Sequence, residues 1–439
     1  MAFPCDRNGN FLSFKRLYHY YRTLAPELPN NFRDMEPLFS AVICGCNAGL
    51  FREALHEVYI PRIQRGNGSF AANVLGARGT LLSALACFFE HGRWGSLVEA
   101  GAEGQMLDAE DQLFILMEAG HLITAIQGMG EPEAALCYER EESLARSLKR
   151  FPSFYLALVG QWRHSLNTDK LSATLQIAKR LYALAQEKND SSLLIGACAA
   201  LAPTLHYLGD FEASGQWAIR GVQLWRSLGA RSSLVGVDNA AVGILCHKAL
   251  FDAHIGDITS SRATMAEAIS LAQELKDMYS LAMTLGVAAR LEIGERNLAE
   301  VERYSSDVIE LSTRHHFGYW LAVGSIFRGW ARSVSGDTAE GNLWVEQGIK
   351  DFRATGTVLG LPIYLSLQAQ ALHLARPRLR PARSGDSVGL VRGGVGLGEV
   401  ASLLRDRNLL RVRQSPRGAY RVGFRFVRTC TTDAGIQSL

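Results

Sequence analysis

Few residues in this sequence combine the types and the spacing that catalysis requires. Gly385, Ser387 and Gly389 match the Gly-x-Ser-x-Gly pattern of a nucleophile elbow, in which the serine attacks an acyl carbon. That chemistry needs an acid and a histidine later in the chain, and the last histidine, His373, comes before Ser387. The pattern therefore does not predict a hydrolase.

The glycine-rich segments do not predict a nucleotide site either. The sequence contains no Gly-Lys dipeptide, so it lacks a Gly-x-x-x-x-Gly-Lys loop to hold phosphates. Glycines at 393–398 fail the dinucleotide-binding pattern, because Glu399 stands where its third glycine belongs. We therefore predict no cofactor and no enzymatic activity.

Histidines and cysteines show no metal-ligand spacing. His315 and His316 are adjacent, and neighbours on a helix point about 100° apart, which favours a capping or surface role. His247 and His254 share a helical face, but one packed and one solvated histidine is the simpler interpretation. The eight cysteines contain no Cys-x-x-Cys pair and lie mostly among apolar residues. We therefore expect reduced thiols. We also expect a cytoplasmic protein, because the start of the sequence lacks the apolar core of a signal peptide and no apolar stretch is long enough to span a membrane.

The elements that position these residues form an internal repeat. Eight turn signals lie 38–47 residues apart, 41 on average, at Gly49, Gly92, Gly130, Thr168, Gly209, Gly256, Arg296 and Gly336. After the turn at Thr168, Leu171, Leu175, Ala178 and Leu181 form one apolar helical stripe. The pattern thus predicts that each unit is a helix, a tight turn and a second helix. Hairpins of this kind must stack on one another to bury their apolar faces. The sequence predicts an all-α solenoid of about eight hairpins.

The turn at residues 208–213 (Leu-Gly-Asp-Phe-Glu-Ala) resembles that of a tetratricopeptide repeat (TPR), although the usual unit has 34 residues. The longer period is similar to the helical repeats C-terminal to the nucleotide-binding module of large bacterial signalling ATPases and transcription regulators. Residues 35–38, 45–49, 52–59 and 62–66 resemble the opening of that region, and residues 319–322 and 329–331 its later repeats. The resemblance covers roughly residues 12–375. It implies a TPR-like repeat array in a signal-transduction protein and carries over no ATPase activity.

Residues 376–439 differ in composition. They hold 13 Arg, no Lys and four acidic residues, a net charge of +9, whereas the rest of the chain carries 33 basic and 39 acidic residues. This composition favours a disordered or out-of-frame tail. In the alternative, residues 409–412 and 420–426 form a hairpin around Ser-Pro-Arg-Gly, and only such an Arg-rich hairpin would bind nucleic acid.

Function is expected on the concave face, which the first helix of each TPR-like unit lines. Counting from the turns places six candidate binding residues near that face: Trp162, His206, Tyr207, His254, Arg290 and Trp330. Exposed Trp, Tyr and Arg dominate binding energies, although either tryptophan could instead fill a gap between helices. The leading hypothesis is a scaffold that binds a protein or peptide. The alternative is a sensor that closes the solenoid around a small molecule, which a deep pocket around Trp162 or Trp330 would favour.

Overall fold

In the computed structural model, helices succeed one another from residue 10 to residue 375. The described residues are 10–66, 69–98, 104–228 and 239–375, together with the backbone of two short strands. The N-terminal helices are α1 (Asn10–Leu24), α2 (Phe32–Asn47), α3 (Phe51–Glu53), α4 (Phe70–Asn73) and α5 (Arg78–Leu85). A π-helix (Ala54–Gln64) continues α3 directly.

The array then continues as antiparallel hairpins. The first helices of the hairpins are α6 (Ala109–Ile126), α8 (Phe151–Asn167), α10 (Ser191–Leu208), α12 (Ala240–His254), α14 (Met278–Gly294) and α16 (Gly318–Ser335). Their second helices are α7 (Pro132–Ser147), α9 (Leu171–Lys188), α11 (Phe211–Leu228), α13 (Ile258–Glu274), α15 (Leu298–His315) and α17 (Thr338–Ala354), and α18 (Leu361–Ala375) follows. The prediction of an all-helical, TPR-like repeat fold is confirmed for this array.

Left-handed residues end the helices at a constant interval. Residues with positive φ lie 20 apart along two stretches of the array: Lys149, Asp169, Asn189 and Gly209, and then Gly256, Lys276, Arg296, His316, Gly336 and Gly356. At Gly209 the next amide, of Asp210, donates to the carbonyl of Leu205 at 3.0 Å, which closes the helix end as in a Schellman motif. One helix with its turn therefore takes 20 residues, and one hairpin takes 40.

Side-chain caps fix where the helices nearest the centre begin. Asp190, Asn239 and Asp277 precede α10, α12 and α14, and each accepts hydrogen bonds from two backbone N–H groups of the first helical turn. Such caps satisfy donors that have no partner within the helix and typically stabilise it by about 1 kcal/mol. The caps therefore set the register in which side chains of these helices face inward.

Small residues bring the two helices of a hairpin together. Ser214 on α11 donates to the carbonyl of Ala202 on α10 at 2.8 Å, and Ser261 on α13 donates to that of Ala249 on α12 at the same distance. In the α16–α17 hairpin both positions are glycine, and an added Cβ at Gly329 would lie 2.7 Å from the carbonyl oxygen of Gly341. Small residues before the turns thus lie at close helix contacts.

The first and last hairpins of the array meet. An added Cβ at Gly356, in the turn after α17, would lie 2.6 Å from the carbonyl oxygen of Gly130, in the turn before α7. Beside this contact, the amides of Val358 and Leu359 donate to the carbonyl of Asn167 at 2.9 and 3.3 Å. The hairpins therefore close into a ring.

Apolar helix α10 lies inside this ring wall. By length and composition it could cross a membrane, but 56% of it is buried in the fold, where it packs against α9, α11 and α12. Burial between neighbouring helices explains its composition.

Two parts of the chain depart from the hairpin pattern. At the predicted turn Gly92, the structure has two short 3-10 helices (Ala86–Phe88 and Glu90–Gly92) and an isolated bridge between Phe89 and Leu97. The count of about eight hairpins and the period near 41 therefore stay predictions, as does the 12–375 boundary. In the tail, strands β1 (Leu410–Gln414) and β2 (Tyr420–Phe424) pair antiparallel. The other residues of 376–439, Ser387 and Glu399 among them, lie outside the described residues, so the disordered or out-of-frame interpretation stays a prediction.

Gly329→Ala should lower the free energy of unfolding by about 1–3 kcal/mol, because the added methyl would overlap the backbone of α17. Gly243→Ala is the matched control, since Gly243 also lies inside a helix and its added Cβ meets nothing within 4 Å. That control should stabilise by roughly 0.5–1 kcal/mol through the helix preference of alanine. Urea unfolding of both variants tests this, and equal shifts would show that the α16–α17 contact is not tight.

Candidate binding site

A cavity lies on the inner side of the ring. Its walls come from α8, α10, α12, α14, α16 and α18, with Met129 from the α6–α7 turn and Leu359 from the α17–α18 turn. About 170 Å³ is open to the centres of water molecules. The first helices of successive hairpins therefore surround one shared cavity, and both ring-closing turns border it.

The cavity wall is mostly apolar and aromatic. Leu156, Val159, Val287, Val323 and Phe327 contribute apolar side chains from three helices. An enclosed apolar pocket with a few polar groups is the usual form of a small-ligand site.

Four of the six predicted binding residues line this cavity: Trp162, His206, Tyr207 and Arg290. Trp162 is itself part of the wall, because it is buried and its indole N–H donates to the hydroxyl of Thr204 at 2.9 Å. His206, Tyr207 and Arg290 are half-buried, on the last turns of α10 and α14. The structure therefore brings these side chains together, while their role in binding stays a prediction.

The other two predicted residues do not line the cavity. Trp330 is 1% exposed, and its indole N–H donates to Oε1 of Gln370 at 3.2 Å, between α16 and α18. His254 is exposed at the end of α12, where its ring stacks on that of Phe211 with centroids 4.4 Å apart. Trp330 therefore fills a gap between helices, which is the alternative that the sequence analysis left open for either tryptophan.

Sequence counting missed several residues that face the cavity: Arg163, His247, Tyr319, Trp320 and Tyr364. The signal was available for two of them, because Arg163 follows Trp162 directly and His247 is one heptad from His254 on the same helix. Tyr364 could not have been found by counting, because it lies beyond the last turn signal. Its approach to α14 depends on how the array curves.

The electrostatics of the cavity favour neutral histidine. Burial, and then the charge of Arg290 and the neighbouring His247 and His254, lower the pKa of His206 from 6.5 to about 3. No carboxylate is among the described residues that line the cavity. His206 therefore carries no charge near neutral pH.

A second, polar cavity lies where α5 and α6 approach the starts of α12 and α14. Its polar lining includes Arg78, Glu118, His121, Asn239 and Asp277. Burial raises the pKa of Glu118 to about 7 and lowers that of Arg78 to about 10. Gln64 donates to the Glu118 carboxylate, and Arg78 donates to the carbonyl of Ala72 at 2.8 Å. The Gln64–Glu118 hydrogen bond joins the π-helix to α6, whereas the Arg78–Ala72 bond ties α5 to α4.

Neither cavity has the ligand set of a metal site. Among the described residues, no group of three or more His, Cys, Asp or Glu side chains is placed to hold a metal ion. The six cysteines of the described segments are free thiols.

Comparison with known proteins finds sequence similarity over part of the chain. No family model matches the sequence. An uncharacterized protein of Rhizobium meliloti (strain 1021) is 26% identical over 169 residues, which are 37% of this chain and 16% of that protein. The chain therefore matches about a sixth of the length of this curated relative.

Comparison with solved structures finds other helical proteins at low identity. The Rap protein complexed with Competence and Sporulation Factor aligns with a TM-score of 0.44 at 7% identity, over 83% of this chain and 98% of that one. A signal transduction ATPase with numerous domains and a tetratricopeptide repeat sensor, from Pyrococcus horikoshii, aligns with a TM-score of 0.39 at 9% identity, over 84% of this chain and 50% of that one.

The stability of the fold should depend on pH through His206. The unfolded chain binds a proton at this residue between about pH 6.5 and pH 3, whereas the folded chain does not. The stability due to neutral His206 is therefore complete above about pH 6.5 and is lost as the pH falls toward about 3. His206→Gln, which does not titrate, should gain stability relative to the wild type on acidification.

Urea unfolding of both proteins at about pH 7.5 and about pH 5 measures this difference, in which contributions from other titrating groups cancel. A stability difference that is equal at the two pH values would contradict the low pKa of His206.

Proposed function

We propose that this chain is a protein-interaction scaffold without catalytic activity, and that it forms the regulatory repeat region of a cytoplasmic bacterial signalling ATPase or transcription regulator. The TPR-like fold and the turn at residues 208–213 support this proposal. The observation that carries it is the cavity on the concave side, where aromatic and cationic side chains of six helices converge. A protein or peptide segment binds there in this proposal.

An exposed apolar stripe at the first helix supports an association with protein. Leu17, Tyr20 and Leu24 lie on one face of α1 and are 40%, 57% and 54% exposed. The end of a repeat array is normally covered by a polar capping unit. An uncovered stripe at this end is therefore where a neighbouring domain or protein would pack.

A small-molecule sensor is the second candidate, and the closed ring favours it. The contact of Gly130 with Gly356 closes the ring of helices beside the cavity, which stays partly open. A cavity of about 170 Å³ suits a metabolite or the end of a peptide better than a folded helix. The cavity borders Trp162, and a deep pocket around this residue is the feature that we expect of a sensor.

Filling the cavity should abolish binding without disturbing the fold. Gly243 on α12 faces the cavity, and an added Cβ there meets nothing within 4 Å. Gly243→Trp should weaken any concave-face ligand at least about tenfold, because the indole occupies its space. Gly243→Ala is the control that keeps the cavity open.

The measurement starts from immobilised wild-type chain, from which retained peptides and metabolites are identified by mass spectrometry. Their affinities for the three proteins are then compared by calorimetry. Retained peptides would support the scaffold and retained metabolites the sensor. Equal affinity for wild type and Gly243→Trp, at unchanged melting temperature, would place binding outside the cavity.

A further inference from the structure

Arg290 brings into the central cavity a positive charge that no described acid balances. The described lining residues include Arg290 but no Asp or Glu. Cavities in proteins usually pair a buried cation with a carboxylate, since an unpaired charge away from water is costly. The missing partner therefore points to a ligand.

Arg290 is the cation without a partner. The half-buried guanidinium makes no hydrogen bond or ion pair with the described part of the chain, although it lies close enough to His206 and Tyr364 to shift their pKa values. Arg262, on the neighbouring helix α13, shows the ordinary arrangement, because it pairs with Glu292 at 3.3 Å. Arg290 thus keeps its donors available inside the cavity.

Trp320 borders the cavity with its ring. The side chain is 7% exposed, and its indole nitrogen is buried from solvent without a hydrogen-bond partner, so this N–H is not available to a ligand in the cavity.

The positions of Arg290 and Trp320 are linked through α14. An added Cβ at Gly286 would lie 2.9 Å from the six-membered ring of Trp320, so the glycine lets the indole lie directly against the helix. Arg290 is one turn further along the same face of α14, and side chains four residues apart on a helix are neighbours. The guanidinium and the ring therefore border the same side of the cavity, opposite apolar wall residues of α8.

We propose that the central cavity binds an organic anion, with its carboxylate or phosphate group at Arg290 and its apolar body against Leu156, Val159 and Phe327. This inference rests on the proposed concave-face function and adds the chemical class of the ligand. The guanidinium donates to the anionic oxygens. No carboxylate among the described lining residues is present to repel an anion.

Matched probes test the charge requirement by calorimetry. Phenylacetate and indole-3-acetate are the carboxylates, phenyl phosphate is the phosphate, and phenylacetamide is the neutral isostere of phenylacetate. The anions should bind at least about tenfold more tightly than the amide, since hydrogen bonds to charged groups are worth about 1.5–3 kcal/mol. The ranking of carboxylates against the phosphate identifies the anionic group. No binding of any anion up to about 10 mM, or equal binding of acid and amide, would overturn the proposal.

Two substitutions test the assigned donor. Arg290→Met should weaken the anions about tenfold or more and leave the amide unchanged, whereas Arg290→Lys should retain most of the preference for anions. Unchanged anion affinity in Arg290→Met would contradict the assignment.

The unliganded protein gives a readout that needs no probe. Arg290→Met should raise the melting temperature, because it removes an uncompensated charge from the cavity. Arg262→Met, which breaks a pair, is the control and should not raise it.

The failures are distinguishable. If anion binding is unchanged in Gly243→Trp, the site lies outside the cavity, and both the proposed concave-face function and this inference are contradicted. Binding that Gly243→Trp abolishes and Arg290→Met leaves intact overturns the anion inference alone.

Discussion

The cavity depends on one contact in which two backbone turns meet without a side chain between them. Gly130 and Gly356 are more than two hundred residues apart in sequence, and a Cβ at either position would overlap the carbonyl group of the other turn. The same hairpins in an open array would leave Arg290, Trp320 and His206 facing water. Closure desolvates these groups, and desolvation is the main cause of the low pKa of His206. The chemistry of the cavity is thus a consequence of the closed ring.

Regular spacing makes that closure geometrically attainable. When each helix and its turn take 20 residues, every hairpin is rotated against the previous one by nearly the same amount, and the curvature accumulates. The interval between the left-handed residues Gly209 and Gly256 is 47 residues, seven more than one hairpin, and it includes residues 229–238, which lie outside the described residues. The interval returns to 20 directly afterwards, so the inward faces of α12, α14 and α16 remain in register.

Sequence alone predicts the parts of this structure that local chemistry determines. Glycines and polar residues at the turns, together with the apolar stripes, give the helices and the hairpin order, and counting from the turns places Trp162, His206, Tyr207 and Arg290 on the inner side. Prediction from the sequence fails where the structure depends on contacts between distant parts of the chain. Gly92 carries a turn signal, but the surrounding residues form 3-10 helices and a bridge instead of a hairpin. Trp162 lies seven residues before the left-handed Asp169, whereas Trp330 lies six before Gly336. The two rings therefore point about 100° apart on their helices, and Trp330 packs toward α18 instead of lining the cavity.

The contact between Gly130 and Gly356 cannot be predicted from the sequence either. A glycine at a turn can be required by a positive φ, so its presence does not indicate that another turn approaches it closely. Gly356 does have a positive φ of 70°, which would be a sufficient reason for glycine by itself. Gly130 has no positive φ, so it is close approach of the other turn that requires a glycine there. Ring closure, and the lack of an ion pair between Arg290 and the described residues, therefore become visible only in the folded chain.

Amide hydrogen exchange at Val358 and Leu359 tests ring closure most directly. These two residues lie between α17 and α18 in no helix, and their amides donate to Asn167 at the end of α8. Their protection therefore reports the contact across the ring. The account predicts slow exchange in the wild type and fast exchange in Gly130→Ala, with α18 equally protected in both. Fast exchange of Val358 and Leu359 in the wild type, while α17 and α18 remain protected, would show that the solenoid is open in solution and contradict the account.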